Sequence, residues 1–456
     1  MSHTLIRNAA IVSVDPQIGT LSRGDILIED DRIIEVSAAP ITAPQGAKII
    51  EAAGMIAMPG FVNAHIHTWQ TGLRGVAADW TIPHYLKAMH AGLATLFKPD
   101  DIRIANRMGA LYQLYSGTTT MADWCHNNPT DDHSHAAIDG LESTGVRAVF
   151  LHGSPKPDPK PGQPHFSEVP MPRDRVEALR KGRLSADDGL VTMGLAILGP
   201  QMSVQDVCNQ DFRLARDLGM VASMHVSGKM LAHKGFQKLH EQGLLGSQFN
   251  VVHGNGLDDE DVDLIVAQGV SITPTIEIEM QMGFGNGLTS RVRARGGNAQ
   301  LSVGSDVESG IAAEMFTVTR MTLQAARHED NLAHRAVHGV APDDVSIRTE
   351  EALEWATMGG ARMLGLEKRI GSLTPGKQAD IVLIGTQRLN MIPMHDPVAS
   401  IVFHANAADV DTVMVAGQVK KRAGQLVTPP SDADIAGLVG SGERIVRDFR
   451  VRMAAA

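Results

Sequence analysis

Residues 58–70 read MPGFVNAHIHTWQ. A Pro-Gly pair opens the stretch, an apolar run follows, and His65 and His67 close it. Side chains alternate along a strand, so residues two apart share one side. Two imidazoles on one side of a strand end can grip a single cation. The spacing predicts a strand-borne metal clamp.

The same rhythm recurs downstream. Apolar runs of strand length lie at 60–67, 117–125, 145–153, 190–199, 220–228, 249–256, 269–275 and 300–306. Helix-like segments such as PDDIRIANRMGALYQLYS and DDEDVDLIVAQG separate them. Strands alternating with helices imply parallel βα units, and eight of them suit a barrel, for which roughly 250 residues is typical. The expected fold is α/β: a (β/α)8 TIM barrel over residues 59–369. Residues 1–58 and 370–456 read instead as short β-branched strands, each set too small for its own core. They are expected to pair as one composite β-sandwich domain. The Pro-rich, charged stretch 154–189 exceeds a usual βα loop and has the length of a lid.

His225, His253 and Asp306 fall at the ends of the fifth, sixth and eighth runs. Strand C-termini of such a barrel converge on one face, where active sites lie. With 19 histidines in the chain, a lone His-x-His arises by chance, so the combination carries the reading. Three or four nitrogens plus a carboxylate suit one Zn2+, with Fe2+ the alternative. A bound divalent ion makes water ionise near neutral pH. Asp306 is then both ligand and base, and His253 binds the metal, the substrate or the attacking water. His152 ends the third run and is placed on the pocket wall. His84, His90, His126, His133 and His135 are read as surface or structural.

The composition narrows the class. The net charge is -10 with no long basic run, which gives no footprint for nucleic acid. Two cysteines, Cys125 and Cys208, lie far apart without CxxC spacing and fit a reducing cytosol. No basic-then-apolar leader and no membrane-length apolar stretch is visible. A cytoplasmic enzyme with a small-molecule substrate is expected.

Taken together, these segments resemble the amidohydrolase superfamily. PGFVNAHIH is similar to its first-strand motif, and HVSG, VVHG and VGSD to its fifth, sixth and eighth. Residues 356–384, ATMGGARMLGLEKRIGSLTPGKQADIVLI, resemble its passage from the last barrel helix into the β domain. The nearest group holds triazine hydrolases, guanine and methylthioadenosine/adenosylhomocysteine deaminases, and phenylurea and molinate hydrolases. The resemblance implies that His65, His67, His225 and Asp306 bind one metal, with His253 close by. It also implies a homo-oligomer. The fourth run has no lysine to bridge a second metal. Deaminases of the group carry a glutamate three residues after the fifth-strand histidine, whereas this chain has Gly228. Glu277, beyond the seventh run and sharing strand parity with Glu279, is the candidate substitute. In the group, the region holding Trp69, Gln70 and Trp80 contacts substrate, and an aromatic wall with one amide suits a flat ligand.

The function implied is hydrolysis of a non-peptide C–N bond, of amide, urea or carbamate type, by a metal-bound hydroxide. The alternatives are deamination or dechlorination of a purine, pterin or triazine, and a metal-free scaffold without activity.

Overall fold

A computed structural model describes residues 1–455. Seven parallel strands run in sequence order around the barrel: Phe61–Ile66, Thr118–Cys125, Arg147–Gly153, Val191–Ala196, Ala222–Val226, Phe249–His253 and Ser271–Thr273. They are buried almost end to end, as expected of parallel strands covered by helices outside and packed side chains within. The eighth position is an irregular segment rather than a strand. It bridges the seventh strand at Leu301 and the first at Asp306, and so closes the ring.

Helix starts follow local chemistry. Helix Pro99–Tyr115 opens with proline, and the Asp101 carboxylate accepts the Lys98 N–H at 2.7 Å. Asp258 caps helix Asp259–Ala267 through the Asp261 N–H at 2.9 Å.

Both chain ends meet in a nine-stranded mixed sheet. Met55–Pro59 lies parallel to His3–Val12 and antiparallel to Ile381–Gly385. Period-two alternation divides these strands between two cores. Ala10, Val12, Ile56, Met58, Val382 and Ile384 join the barrel core. Ala9, Ile11, Ala57, Ile381 and Leu383 build the domain's own core. The expectation of one β domain from both ends therefore holds in its central strands.

The last segment departs from that expectation. Residues Asp432–Ala455 form a helix packed on the barrel. Its Asp434 pairs with Arg107 at 3.1 Å, Ser441 donates to Asp101 at 2.6 Å, and Arg444 also pairs with Asp101. Gly442 lies against the turn Thr68–Leu73, where a Cβ would come 2.2 Å from the Gly72 carbonyl oxygen. The stretch 370–456 expected in the β domain thus ends in a helix, which carries no strand period and packs beside the barrel. No helix among the described residues is long and apolar enough to cross a membrane.

One buried ion pair joins the two units. Arg147, at the start of the third strand, donates to both oxygens of Asp380 at 2.8 and 3.0 Å. Both side chains are buried. The Ala416 N–H also donates to Asp380, at 2.7 Å. Removing one partner leaves a buried charge, so Asp380→Ala is expected to cost roughly 3–5 kcal/mol in denaturant titration. Asp380→Ala together with Arg147→Met is expected to recover part of that loss.

Asp211 sits inside helix Gln205–Asp217 with one oxygen accepting the Met171 N–H at 2.8 Å and the other unpartnered. Burial pushes its carboxyl up to about 7, against 3.8 for the free group. The folded form holds its proton to higher pH than the unfolded chain, so stability falls as pH rises across that interval. Asp211→Asn should gain thermal stability over the parent from about pH 4 to about pH 7, with a constant difference above. A parent melting temperature flat across this window would contradict the assignment.

Candidate active site

The first strand supplies two rings because of its register. Asn63 accepts the Ser305 N–H at 3.1 Å and donates to the Ser305 hydroxyl at 2.8 Å, tying the strand to the eighth segment. The Asp306 N–H then reaches the His65 carbonyl at 2.9 Å, and the His67 N–H reaches the Asp306 carbonyl at 2.8 Å. His225 arrives from the fifth strand.

Four atoms converge. His65 Nε2 and His67 Nε2 each lie 3.3 Å from Asp306 Oδ1. His225 Nε2 lies 3.2 Å from His65 Nε2 and 3.3 Å from His67 Nε2. All four ligand atoms lie within 4.8 Å of one another, a spread that one ion with bonds of about 2.0 Å can draw together. His67 Nδ1 donates to the Trp124 carbonyl at 2.7 Å, which leaves the Nε2 lone pair for a cation. Burial lowers the basicity of His65, takes His67 down to about 3 and holds His225 well below the usual range. The three rings are therefore neutral, as metal ligation requires. Burial alone would raise Asp306, but the hydrogen bond from His65 and the surrounding imidazoles outweigh it and keep the carboxylate ionised. No other grouping of three or more candidate ligands occurs among the described residues. The donor set fits one divalent ion.

His253 stands at the second oxygen of Asp306, its Nε2 being 4.0 Å from Oδ2. Nδ1 faces Thr275 Oγ1 at 3.0 Å and Glu279 Oε1 at 3.4 Å. The Glu279 carboxylate also accepts the Thr275 N–H at 2.7 Å and the Asn255 amide at 3.2 Å. His253 and Asp306 hold φ of 69° and 67°, a left-handed backbone uncommon in residues other than glycine.

This geometry separates two glutamates that strand parity had grouped. Residues Ile276–Met282 form a helix, not a strand end. At about 100° per residue, positions two apart point to nearly opposite sides. Glu279 turns inward to His253, while Glu277 is half-buried elsewhere, raised by burial and by the Glu314 carboxylate, and does not line the pocket. The three expected substrate contacts also stand back from the pocket. Trp69 packs edge-on against Phe97 and His126 at 5.1 and 5.3 Å. Gln70 donates to the Tyr85 hydroxyl at 2.5 Å and accepts from Ser309 at 2.7 Å. His152 faces outward to Ser134 Oγ at 3.3 Å, where burial lowers it to about 4.

Other residues form the wall. A cavity of about 470 Å3, open to solvent at its mouth, is lined by His126, His90, Tyr85, Lys156, Met202 and Phe284 around the ligand cluster. His126 Nε2 and His90 Nδ1 lie 3.0 Å apart, and burial keeps both rings well below their usual basicity. Lys156 comes from the long 154–189 segment. These positions lie in loops and short helical turns between a barrel strand and its helix, too short to show a period.

With the geometry in place, residues 56–420 match the amidohydrolase family. The chain belongs to that family. It is a metal-dependent hydrolase of carbon–nitrogen bonds other than peptide bonds. It is 27% identical to a 5-methylthioadenosine/S-adenosylhomocysteine deaminase of Moorella thermoacetica, covering 94% of this chain and 96% of that one. It is 27% identical to a 5'-deoxyadenosine deaminase of Methanothermobacter thermautotrophicus, covering 92% and 95%. Among solved structures, an adenosine deaminase from Xanthomonas campestris with bound zinc superposes with a TM-score of 0.80 at 23% identity, covering 99% of each chain. Atrazine chlorohydrolase of Arthrobacter aurescens complexed with zinc gives 0.82 at 21%, covering 96% of this chain and 100% of that one. The fold is thus the amidohydrolase barrel with its small β domain.

Metal analysis of purified protein is expected to give close to one equivalent of a divalent ion per chain. His225→Ala should lower that occupancy at least tenfold while the melting transition remains cooperative.

Proposed function

We propose that this protein uses a single zinc ion to hydrolyse an exocyclic C–N bond of a flat nitrogen heterocycle. The observation that carries the reading is the four-atom cluster with His253 set at the free oxygen of its carboxylate. A divalent ion held there supplies Lewis acidity and a water that ionises near neutral pH. Asp306 uses Oδ1 among the ligand nitrogens and has Oδ2 for proton transfer. It takes the proton of the attacking water and returns it to the departing nitrogen. His253, its Nδ1 engaged by Thr275 and Glu279, presents Nε2 toward the same reacting atoms. The relatives named as deaminases of adenine nucleosides and as a triazine chlorohydrolase support a heterocyclic substrate. The nitrogen-rich donor set and the zinc of the related structures support that metal.

The amide or urea reading keeps one observation in its favour. Asp306 is the pocket's only carboxylate: Gly228 has no side chain to offer, and Glu279 is held behind His253. One carboxylate that cycles a single proton suffices for an amide. Cytoplasmic residence and assembly as a homo-oligomer belong to the same proposal. The two cysteines are free and buried, in keeping with a reducing compartment. Leu332 and Val337, exposed on helix Met315–His338, offer apolar contact for a second copy.

Zinc-loaded protein is expected to release ammonia from at least one amino-purine, amino-pterin or amino-triazine. Amine release from phenylureas alone would select the amide reading, and no release from either set would overturn both. On the active substrate, Asp306→Asn should lower kcat by roughly 10²- to 10⁴-fold. Glu279→Gln should lower it by about 10- to 100-fold, as a residue that orients His253. Glu277→Gln should leave turnover unchanged.

A further inference from the structure

Lys156 is only 7% exposed, yet it forms no ion pair or hydrogen bond with any described residue. Its Nζ lies 5.2 Å from the centre of the Trp124 ring and borders the cavity. A buried ammonium without an acceptor is costly unless something else completes it. A tryptophan face contributes cation–π attraction but takes up none of the three N–H donors.

Tyr85 shares the same wall, and its proton is directed by its neighbours. Ser309 donates to Gln70 Oε1 at 2.7 Å, so the Gln70 amide nitrogen is the atom that donates to the Tyr85 oxygen at 2.5 Å. The phenol oxygen is thus already an acceptor, and its own hydrogen is left to donate. Burial, with the Asp306 charge adding to it, raises the phenol far above neutral pH and keeps that hydrogen in place. The rest of the wall is apolar at Ile82, Leu86, Met202, Met282 and Phe284, and its other polar groups are Ser227 and the uncharged His90–His126 pair. Away from the ligand cluster, the two hydrogen-bonding groups with an assigned direction are therefore both donors. One of them is a cation.

We propose that Lys156 and Tyr85 form an anion-accepting subsite, so that the ring hydrolysed here carries an oxo, ionised hydroxyl or carboxylate oxygen. This rests on the reading of a heterocyclic substrate and gives that substrate a charge. The complementary ligand is an anionic oxopurine, oxopyrimidine or hydroxytriazine rather than a neutral adenine nucleoside. Burial lowers the Lys156 ammonium to about 8, partly offset by Asp306, so it keeps its charge in mildly acidic buffer.

The test is calorimetric titration of the full-length zinc-loaded protein at about pH 6.5 with urate and orotate, against neutral hypoxanthine and uracil. None of the four carries an exocyclic amino group, so binding is read apart from deamination. At least one anion should bind roughly 10- to 100-fold tighter than its neutral counterpart, the scale of a hydrogen bond to a charged group. Lys156→Met should abolish the preference with zinc content unchanged, and Lys156→Arg should keep most of it. Tyr85→Phe should weaken the same anion by about fivefold. Equal binding of anion and neutral ring by the parent, no anion binding, or a preference that survives Lys156→Met overturns the subsite. If Lys156→Met fails to fold, unchanged anion affinity in Tyr85→Phe overturns it. A preference without turnover of any amino-heterocycle removes the reaction and leaves the subsite; turnover without the preference does the reverse.

Discussion

The structure depends on how the barrel closes. Its eighth position has no regular strand, only the run from Leu301 to Asp306 wedged between the first and seventh strands. Gly304 permits the approach: a Cβ there would fall 2.6 Å from the His65 Cβ and 2.8 Å from its nitrogen. Asn63 fixes the register by bonding Ser305 through both main chain and side chain. A slip of one residue would turn every side chain of the segment to the opposite face and take Asp306 out of the cluster. Ring closure and metal binding are therefore one constraint. The left-handed backbone at Asp306 is held by the same contacts that hold the barrel.

Around this closure, each important side chain is fixed by a partner farther out. The Trp124 carbonyl sets His67, and Glu279 with Thr275 sets His253. The relay from Ser309 through Gln70 sets the Tyr85 hydroxyl. The turn that carries Gln70 is pressed by the C-terminal helix, where Gly442 meets Gly72. The end of the chain thus supports a pocket wall built almost at its start. The β domain contributes from the other side, since its Asp380 anchors the third strand through Arg147. That strand leads into the segment bearing Lys156.

Much of this was legible because strand periodicity is short and rigid. Alternation placed His65 and His67 together, and the recurring apolar runs located His225, His253 and Asp306 at strand ends. The parallel barrel and the two-ended β domain followed from the same pattern. Legibility stopped where periodicity stopped. Strand parity would group Glu277 with Glu279, but the chain turns helical after Thr275, so the two carboxylates diverge. Trp69, Gln70 and His152 lie near the site along the chain yet point behind its wall. Lys156 and His126 stand in irregular connections and Tyr85 and His90 on short helical turns, where direction is set by long-range packing that no local pattern encodes.

The charges inside the cavity connect binding with chemistry. Burial removes charge from five rings, those of His65, His67, His225, His90 and His126, so they contribute geometry rather than charge. The only fixed negative charge is Asp306, while the Lys156 ammonium and a bound divalent ion are positive. An anionic ring alone resists attack at carbon because its electron density is high. Donors aimed at its oxygen withdraw that density and are already oriented before the ligand arrives, the condition under which electrostatic stabilisation is largest. A wall of this kind can therefore make an electron-rich ring attackable with one carboxylate handling the proton. That explains how the site can work with Gly228 where a second acid would otherwise stand.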